Sequence, residues 1–517
     1  MPPSQGRLAA RVGAGIMLTR VLGFVRERVF AHYFGAGVTA DAFRAALKIP
    51  NVIRNLLGEG TLSASLIPVY AGMIERGESE KAQRLAGVIA SVLVLLTAVL
   101  AFIGIALAPL ITDFVVPGFS GERRTLAITL VRIMFPMSGL LILSAWCLGI
   151  LNTHRRFFLS YAAPSLWNIT QIATLITLGG VLVELDLVVA LAWGALLGGL
   201  LQLLVQLPAT LRLTGGVKWG LDLKAPGVRQ VIGRWVPVVV GAGAYQISSI
   251  VDTQLASLLA QGAVAILGYA QLVAILPVSL FGVSVAAVAL PELARDAVGN
   301  DQQVLRARLG AGMQRIAFFA LPSAVAFAAL APEIIGALFQ TGAFGAAQTL
   351  IAAGALAAYS IGVPAQASVK LLASGHYALG DTKTPVRIAV VSVIVSAVSA
   401  FLLMRRFGPA GIALGASIAA YLNMSLNFGT LSAKVGRILE SPERRAIVLA
   451  AAATVPAAFS GVGVAAALRD GPVWLAALLA LAGFGAVYGV VTLLLGHPEA
   501  VKLWAALRRR SGHSTDS

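Results

Sequence analysis

The chain has one cysteine, five histidines and only 12% charged residues. A single cysteine excludes an intramolecular disulfide and a cysteine-based metal site, and Cys147 lies in an apolar segment, where we expect a small core residue. No histidine stands at a metal-binding spacing from nearby acids, and no glycine-rich stretch has the strand–helix context of a nucleotide-binding loop. These absences argue against a metalloenzyme and against an ATP-driven pump.

Apolar residues, by contrast, make up 58% of the 517 positions. A water-soluble protein of this length carries far more charged surface. The formal net charge of +17 might suggest nucleic-acid binding, but the basic residues are spread over many short loops. That distribution is typical of cytoplasmic loops that face anionic lipid, so we expect no nucleic-acid partner. The composition predicts an all-α polytopic membrane protein.

Hydropathy windows of about 20 residues predict about fourteen membrane spans. The second span is too long for one straight helix and contains Pro50 and the run Gly58-Glu59-Gly60, so we expect it to bend or break. Span 8 runs between Pro277 and Pro291 and is expected to kink. The predicted spans are residues 8–30, 40–72, 84–112, 125–151, 160–182, 187–211, 232–260, 264–291, 311–337, 346–374, 387–404, 411–433, 446–467 and 473–495.

Lysine and arginine predict the orientation of these spans. The two termini and the even-numbered loops together hold roughly four times as many of these residues as the odd-numbered loops. Since basic loops remain in the cytoplasm, both termini are expected to be cytoplasmic. In the segment 498–510, Val501, Trp504 and Leu507 share one face and basic residues lie elsewhere, which predicts an interfacial helix.

An internal repeat has a period of about 220 residues, as is common in transporters. The run Leu66-Ile67-Pro68 before a charged loop resembles Ala289-Leu290-Pro291 before another. The period covers six spans, an even number, which predicts parallel lobes around a central cavity; duplication without transport is the alternative. The predicted domains are residues 1–215 as the N-terminal lobe, 216–436 as the C-terminal lobe, 437–497 as two extra spans, and 498–517 as a cytoplasmic helix and tail.

The first two spans contain a cluster of charged residues, although each charge in a bilayer core costs several kcal/mol. The deep positions of Arg20 and Arg54 suggest an anionic cargo, and arginine suits phosphate because its planar fork binds two oxygens. Arg28 and Arg44 lie nearer an interface and are interpreted as snorkelling or as structural salt bridges. The full set is Arg20, Arg26, Glu27, Arg28, Asp41, Arg44, Lys48, Arg54 and Glu59.

Asp252, in span 7, is a deep carboxylate with no cation close to it in the sequence. It is expected either to bind a coupling cation or to pair with a residue of another helix. The sequence does not decide between these two roles.

Residues 19–70, TRVLGFVRERVFAHYFGAGVTADAFRAALKIPNVIRNLLGEGTLSASLIPVY, closely resemble the opening of the MurJ (MviN) lipid II flippases. Further matches are APSLWNI at 163–169, QLLVQLP at 202–208 and DTKTPVRIA at 381–389, so the resemblance covers essentially the whole chain. It implies the fourteen-helix, two-lobed fold of the MOP exporter superfamily. It also implies translocation of undecaprenyl-pyrophosphate-linked peptidoglycan precursor from the inner to the outer leaflet of the bacterial cytoplasmic membrane.

The resemblance also implies site residues. The family's cavity charges carry over to Arg20, Arg26, Asp41, Lys48, Arg54 and Glu59. In one departure, Leu272 stands where the family commonly has a span-8 arginine. Some members are thought to bind sodium with a span-7 carboxylate and polar groups of spans 11 and 12. Asp252 fits the first part, and span 11 offers only Ser392, Ser396 and Ser399.

The function expected is therefore that of a transporter, a lipid II flippase that works by alternating access. Arg20, Arg26 and Arg54 would hold the pyrophosphate while the lipid tail stays in the bilayer. We expect no cofactor, and coupling to Na⁺, to H⁺ or to the membrane potential is left open. We expect a monomer, with cell-wall synthesis proteins as candidate partners.

Two other functions are weighed against this one. The first is export of another lipid-linked oligosaccharide. The second is a polytopic glycosyltransferase, which would need an acidic residue poised in an external loop. The acidic residues there form no obvious pair: Asp113, Glu122, Glu184, Asp186, Glu333 and Asp470.

Overall fold

The structure is a computed structural model that describes residues 5–58, 60–216, 219–299 and 301–512. Within these ranges it contains twenty α-helices, one π-helical turn and no β-strand. The helices are α1 (Gln5–Phe34), α2 (Val38–Leu57), α3 (Thr61–Glu75), α4 (Ser79–Ala106), α5 (Ala108–Val115), α6 (Gly121–Thr153), α7 (Phe157–Ala162), α8 (Pro164–Leu178), α9 (Glu184–Thr214), α10 (Val228–Ser257), α11 (Ala263–Pro277), α12 (Ser284–Val298), α13 (Gln302–Ala329), α14 (Ala331–Phe339), α15 (Ala346–Ala378), α16 (Lys383–Phe407), α17 (Pro409–Val435), α18 (Ser441–Ala467), α19 (Val473–Leu494) and α20 (Pro498–Gly512).

Ten helical stretches among the described residues are long and apolar enough to cross a membrane. The all-α membrane class is thus confirmed, while the count of fourteen spans stays a prediction. The helices that correspond to predicted spans 1 and 2 carry the charge cluster, which lowers their hydropathy.

Two of the predicted helix distortions are confirmed. Span 2 divides between α2 and α3, where Gly60 has a φ of 80°, a left-handed conformation that glycine adopts without steric cost. Pro50 lies inside α2 without ending it. Span 8 is interrupted by the π-helical turn Val278–Val283, which begins directly after Pro277 and separates α11 from α12. Pi-helical turns and prolines are common causes of helix kinks.

Three other spans that were predicted as single helices are also divided. New helices begin at α5, α8 and α14, and each has a proline in its first turn. Proline fits the first turn, where its missing N–H is not needed, but it disrupts a helix interior. Ala108-Pro109 and Ala331-Pro332 follow helix ends in corresponding positions, so these breaks add a match to the sequence repeat.

The described chain forms two compact units. The first comprises Met1–Ala265 with Thr341–Phe344, and the second comprises Ile266–Gln340 with Gly345–Ser517. The first unit includes α10, which packs against α2 and α3. The predicted lobes divide at residue 215 because that boundary was taken from the sequence repeat and not from contacts within the structure. The division into these lobes stays a prediction.

Each unit has its own apolar core. In the first unit, Tyr70, Leu85, Trp146 and Cys147 are buried where α3, α4, α6 and α10 meet, which confirms the core position of the cysteine. In the second unit, one cluster lies among α12, α13, α15 and α17, and another lies among α13, α18 and α19.

Helices α16 and α17 of the second unit approach closely at two glycines. A Cβ atom added at Gly415 would lie 2.5 Å from the amide nitrogen of Ala400, and one at Gly411 would lie 2.4 Å from the carbonyl carbon of Leu403. Small residues four apart allow helix backbones in a membrane to pack at short distance. The second unit therefore depends on this pair of glycines for its α16–α17 contact.

We predict that Gly415→Ala destabilises the protein by about 1–3 kcal/mol, because the added methyl group meets backbone atoms that cannot rotate away. Gly429→Ala is the matched control on the same helix, since no heavy atom lies within 4 Å of its added Cβ. The measurement is the midpoint of thermal unfolding of both variants in detergent. Equal midpoints would contradict the close-contact interpretation.

Candidate functional site

Three charged side chains of α1 and α2 form one ion-paired group. Arg26 Nη2 donates to Glu27 Oε1 at 2.5 Å, and Arg44 Nη2 donates to Glu27 Oε2 at 2.6 Å. The side chains of Arg26, Glu27 and Arg44 are 17%, 12% and 18% exposed. They are largely withdrawn from solvent, yet each keeps an accessible surface. Arg44, which the sequence assigned to snorkelling or to a structural salt bridge, therefore belongs to the same group as Arg26.

Helix α8 also contacts Arg26. Arg26 Nη1 donates to Asn168 Oδ1 at 3.1 Å, and the guanidinium carbon lies 4.5 Å from the centroid of the Trp167 ring. Asn168 Nδ2 in turn donates to the carbonyl oxygen of Thr19 at 3.3 Å, which ties α8 to α1. Trp167 and Asn168 belong to the APSLWNI stretch. That stretch thus fixes the orientation of Arg26, a role the sequence analysis did not assign to it.

The two other predicted arginines lie apart from this group. Arg20 is exposed on α1, about 9 Å along the helix from Arg26 at about 1.5 Å per residue. Arg54 is half-buried near the end of α2, and its Nη2 donates to Asn55 Oδ1 at 3.4 Å. Glu59 lies outside the described residues. The predicted substrate-binding role of Arg20, Arg54 and Glu59 stays a prediction.

Asp41 is fully buried, and both of its carboxylate oxygens are bonded to the protein. Oδ2 accepts a hydrogen bond from Arg123 Nη2 at 2.6 Å and from the amide of Gly262 at 2.7 Å, while Oδ1 accepts one from the amide of Ala265 at 2.8 Å. The described contacts are those of a structural anchor between α2, α6 and the start of α11. Substrate contact by Asp41 is an untested prediction and is not part of our proposal.

Arg123 is the partner that the sequence analysis missed. It lies 82 positions from Asp41, and its guanidinium carbon also stands 3.6 Å from the centroid of the Phe119 ring. The sequence did contain a signal that such a partner exists, namely Asp41 itself, because a carboxylate in a membrane segment requires a partner.

Lys48 of α2 and Asp252 of α10 belong to two helices that pack together. Each is the charged group that acts electrostatically on the other, and α2 and α10 pack together. Asp252 Oδ1 is buried and has no hydrogen-bond partner among the described residues. Lys48 is therefore the candidate partner for Asp252 across helices, and both this pairing and the cation-binding alternative stay predictions.

The sodium site that the resemblance implies, with Asp252 and the serines of span 11, stays a prediction. Ser392 and Ser396 are buried on α16, and the Ser392 hydroxyl donates to the carbonyl oxygen of Ile388 at 2.8 Å. No group of three or more histidine, cysteine or acidic side chains able to hold a metal occurs among the described residues.

We predict that Asp41→Ala destabilises the protein by about 3–5 kcal/mol, because it leaves the Arg123 guanidinium buried without its carboxylate. The matched control is Asp113→Ala, which breaks an exposed ion pair with Arg124 in the same unit and should cost at most about 1 kcal/mol. Thermal unfolding in detergent measures both changes. An Asp41→Ala midpoint that matches the control would show that the buried pair contributes little.

Comparisons with known protein structures support the helical fold. The chain is similar to a lipid II flippase MurJ solved in an inward closed conformation, with a TM-score of 0.79 and 24% identity over 94% of this chain and 98% of that one. It is also similar to an inward-facing multidrug resistance MATE family transporter of the MOP superfamily, with a TM-score of 0.69 and 15% identity over 83% of this chain and 98% of that one. These likenesses confirm the expected MOP-type fold.

Sequence comparisons identify the family. The family described as "Lipid II flippase MurJ" matches residues 30–481. A lipid II flippase MurJ of Burkholderia cenocepacia is 36% identical over 428 residues, which cover 82% of this chain and 83% of that protein. A probable lipid II flippase MurJ of Rhizobium tropici is 31% identical over 522 residues, which cover 96% of each chain. The chain belongs to the MurJ family of lipid II flippases.

Proposed function

We propose that the chain moves lipid II across the bacterial cytoplasmic membrane, from the inner to the outer leaflet. The observation that carries the proposal is the Arg26 side chain, which is 17% exposed and is oriented by Glu27 and Asn168 inside a chain of the MurJ family. Lipid II is a lipid-linked diphosphate, and a planar guanidinium fork matches phosphate oxygens. The chain acts as a transporter and not as an enzyme.

The neighbours of Arg26 restrict the conformations of its side chain. Asn168, Trp167 and Glu27 restrict the side chain before any ligand arrives, so binding loses less rotamer entropy. Arg20 and Arg54 add positive charge elsewhere on α1 and α2. In our proposal the headgroup is held by these arginines, and the undecaprenyl tail stays in the bilayer.

Alternating access of the two repeats is the proposed transport cycle, and the parallel repeat in the sequence supports it.

We also propose an inner-membrane monomer with both termini in the cytoplasm. The orientation follows from the distribution of lysine and arginine. Labelling of a cysteine placed at residue 215 from outside intact cells, in a Cys147→Ala background, would contradict this orientation.

The glycosyltransferase alternative would need an acid that is free to act on a substrate, and one of its candidates, Asp113, is engaged in an ion pair. Asp113 is bonded to Arg124, and this hydrogen bond, with the guanidinium charge, holds the pKa of the Asp113 carboxyl below its ordinary value. A carboxylate with a lowered pKa is a poor general acid at neutral pH.

We predict that Arg20→Ala, Arg26→Ala and Arg54→Ala each abolish complementation of a MurJ-depleted bacterium. Loss of one charge-assisted hydrogen bond costs roughly 1.5–3 kcal/mol, or about ten- to a hundredfold in affinity. Arg26→Lys should restore activity only in part, because an ammonium keeps the charge and lacks the fork.

The control for this experiment is Arg124→Ala, which removes an exposed arginine of the first unit and should complement normally. Leu272→Arg should also be tolerated, since it adds a cation. The proposal fails if an Arg26→Ala/Arg54→Ala double variant, expressed at the wild-type level, binds and flips lipid II normally.

For coupling, we propose that Asp252 senses a cation, because its buried Oδ1 atom has no hydrogen-bond partner among the described residues. Asp252→Asn should then remove the dependence of transport on Na⁺, on H⁺ or on both, while leaving the protein folded. Transport in proteoliposomes, measured with and without ion gradients, tests this. An unchanged ion dependence would leave Asp252 with only its predicted pairing to Lys48.

A further inference from the structure

The linker between α9 and α10 carries an exposed apolar stripe, which consists of Trp219, Leu221 and Leu223. These three side chains are 68%, 58% and 56% exposed. We propose that the apolar stripe inserts into the lipid of one membrane leaflet and anchors the linker there. The inference concerns the contact of this segment with phospholipid, so it goes beyond the proposed function and does not depend on lipid II binding.

The residues between the members of the stripe attach the linker to α4. The amide of Gly220 donates to the Ser91 hydroxyl at 3.1 Å, and Arg84 Nη2 donates to Asp222 Oδ2 at 2.6 Å. The linker therefore contacts α4 through its even-numbered residues. The apolar side chains on either side of these residues are the ones that stay exposed.

Helix α4 gives the depth of this attachment in the membrane. Its residues 85–106 include no charged side chain and extend over about 33 Å, which matches a hydrocarbon core of about 30 Å. Arg84 marks the boundary of this apolar stretch, and Ser91 lies about 10 Å farther along the helix axis. Because Gly220 bonds to Ser91, the adjacent Trp219 is placed at the level of the lipid acyl chains.

The linker also covers part of a face of α4 that is exposed farther along the helix. Arg84, Ser91, Leu95 and Phe102 share this face, since their separations are close to whole numbers of helical turns. Leu95 and Phe102 are exposed, as is typical of the lipid-facing side of a membrane helix, whereas Ser91 is buried. The apolar stripe therefore continues the apolar surface that α4 presents to lipid.

Basic residues flank the stripe along the chain. Arg212, Lys224 and Arg229 are exposed, and none of them forms an ion pair in the part of the chain that the structure describes. The acid of the linker, Asp222, already pairs with Arg84. Tryptophan beside lysine and arginine is typical of a membrane interface with anionic headgroups. A phospholipid leaflet fits both parts of this pattern, because acyl chains accept the apolar side chains and phosphates accept the cations.

Spin labels at single cysteines test the insertion. Trp219→Cys, Leu221→Cys and Leu223→Cys are each made in a Cys147→Ala background, and the labelled full-length protein is reconstituted in vesicles of phosphatidylglycerol and phosphatidylethanolamine. Oxygen concentrates in lipid and a nickel chelate stays in water, so the ratio of their effects on the label measures depth. We expect oxygen to dominate at 219 and 221, and the depth to decrease in the order 219, 221, 223.

Lys224→Cys is the matched control, because it replaces an exposed residue of the same linker with a charged side chain. Its label should respond mainly to the nickel chelate. Leu221→Asp, combined with the label at 219, should increase the effect of the nickel chelate several-fold, since an ionised carboxylate is costly among acyl chains. The midpoint of thermal unfolding shows whether each variant folds, and if one cysteine variant does not fold, the other two positions decide.

Two results would overturn the inference. If the nickel chelate acts on the labels at 219 and 221 as strongly as on the label at 224, the apolar stripe faces water. If neither reagent acts on these labels, protein covers the stripe, either from a second copy of the chain or from another part of it. Neither result bears on lipid II binding, which the complementation experiment tests separately.

Discussion

The cost of burying charge in an apolar environment governs the first unit of this protein. Ionised groups inside a membrane segment are tolerated when a partner of opposite charge, a hydrogen bond or an aromatic ring compensates them. Arg123 meets Asp41 and the Phe119 ring, Lys48 acts electrostatically on Asp252, and Arg26 and Arg44 share Glu27. Each partnership joins different helices or connects a helix to its neighbour. These charged contacts thus also hold the helices in place.

These partnerships divide the charged residues into two kinds. Asp41 and Arg123 are closed off, with carboxylate oxygens that are all engaged by guanidinium and amide donors. Arg26 is different because its side chain stays 17% exposed although it bonds to both Glu27 and Asn168. Spacing along the chain does not distinguish the fully engaged charged residues from the partly exposed ones, since both occur in α1 and α2. The exposed fraction of each side chain distinguishes them.

Much of the fold could be predicted from the sequence, because membrane helices follow local hydropathy and local breaks. The division at Gly60 and the interruption after Pro277 were foreseen for that reason. The interruptions at Pro109, Pro164 and Pro332 were not, because a proline within a long apolar run is compatible with either a kink or a new start. The Arg123 partner of Asp41 and the Asn168 partner of Arg26 lie 82 and 142 positions away in the chain, where only tertiary structure brings them together. The sequence indicated a charged segment in the first two spans, but not how its members pair, because that pairing depends on tertiary structure. The binding role of the predicted cluster stays a prediction.

The π-helical turn Val278–Val283 has a consequence for the helical phase of the segment around it. An α-helix rotates by about 100° per residue, and a π-helical turn contains one residue more than a regular α-helical turn. Side chains of α12 are therefore rotated by about that angle from where an unbroken continuation of α11 would place them. A residue such as Leu272 shares a face with a different set of α12 positions than a helical wheel drawn through the whole segment would indicate. The turn after Pro277 therefore determines which face of α12 continues the face of α11.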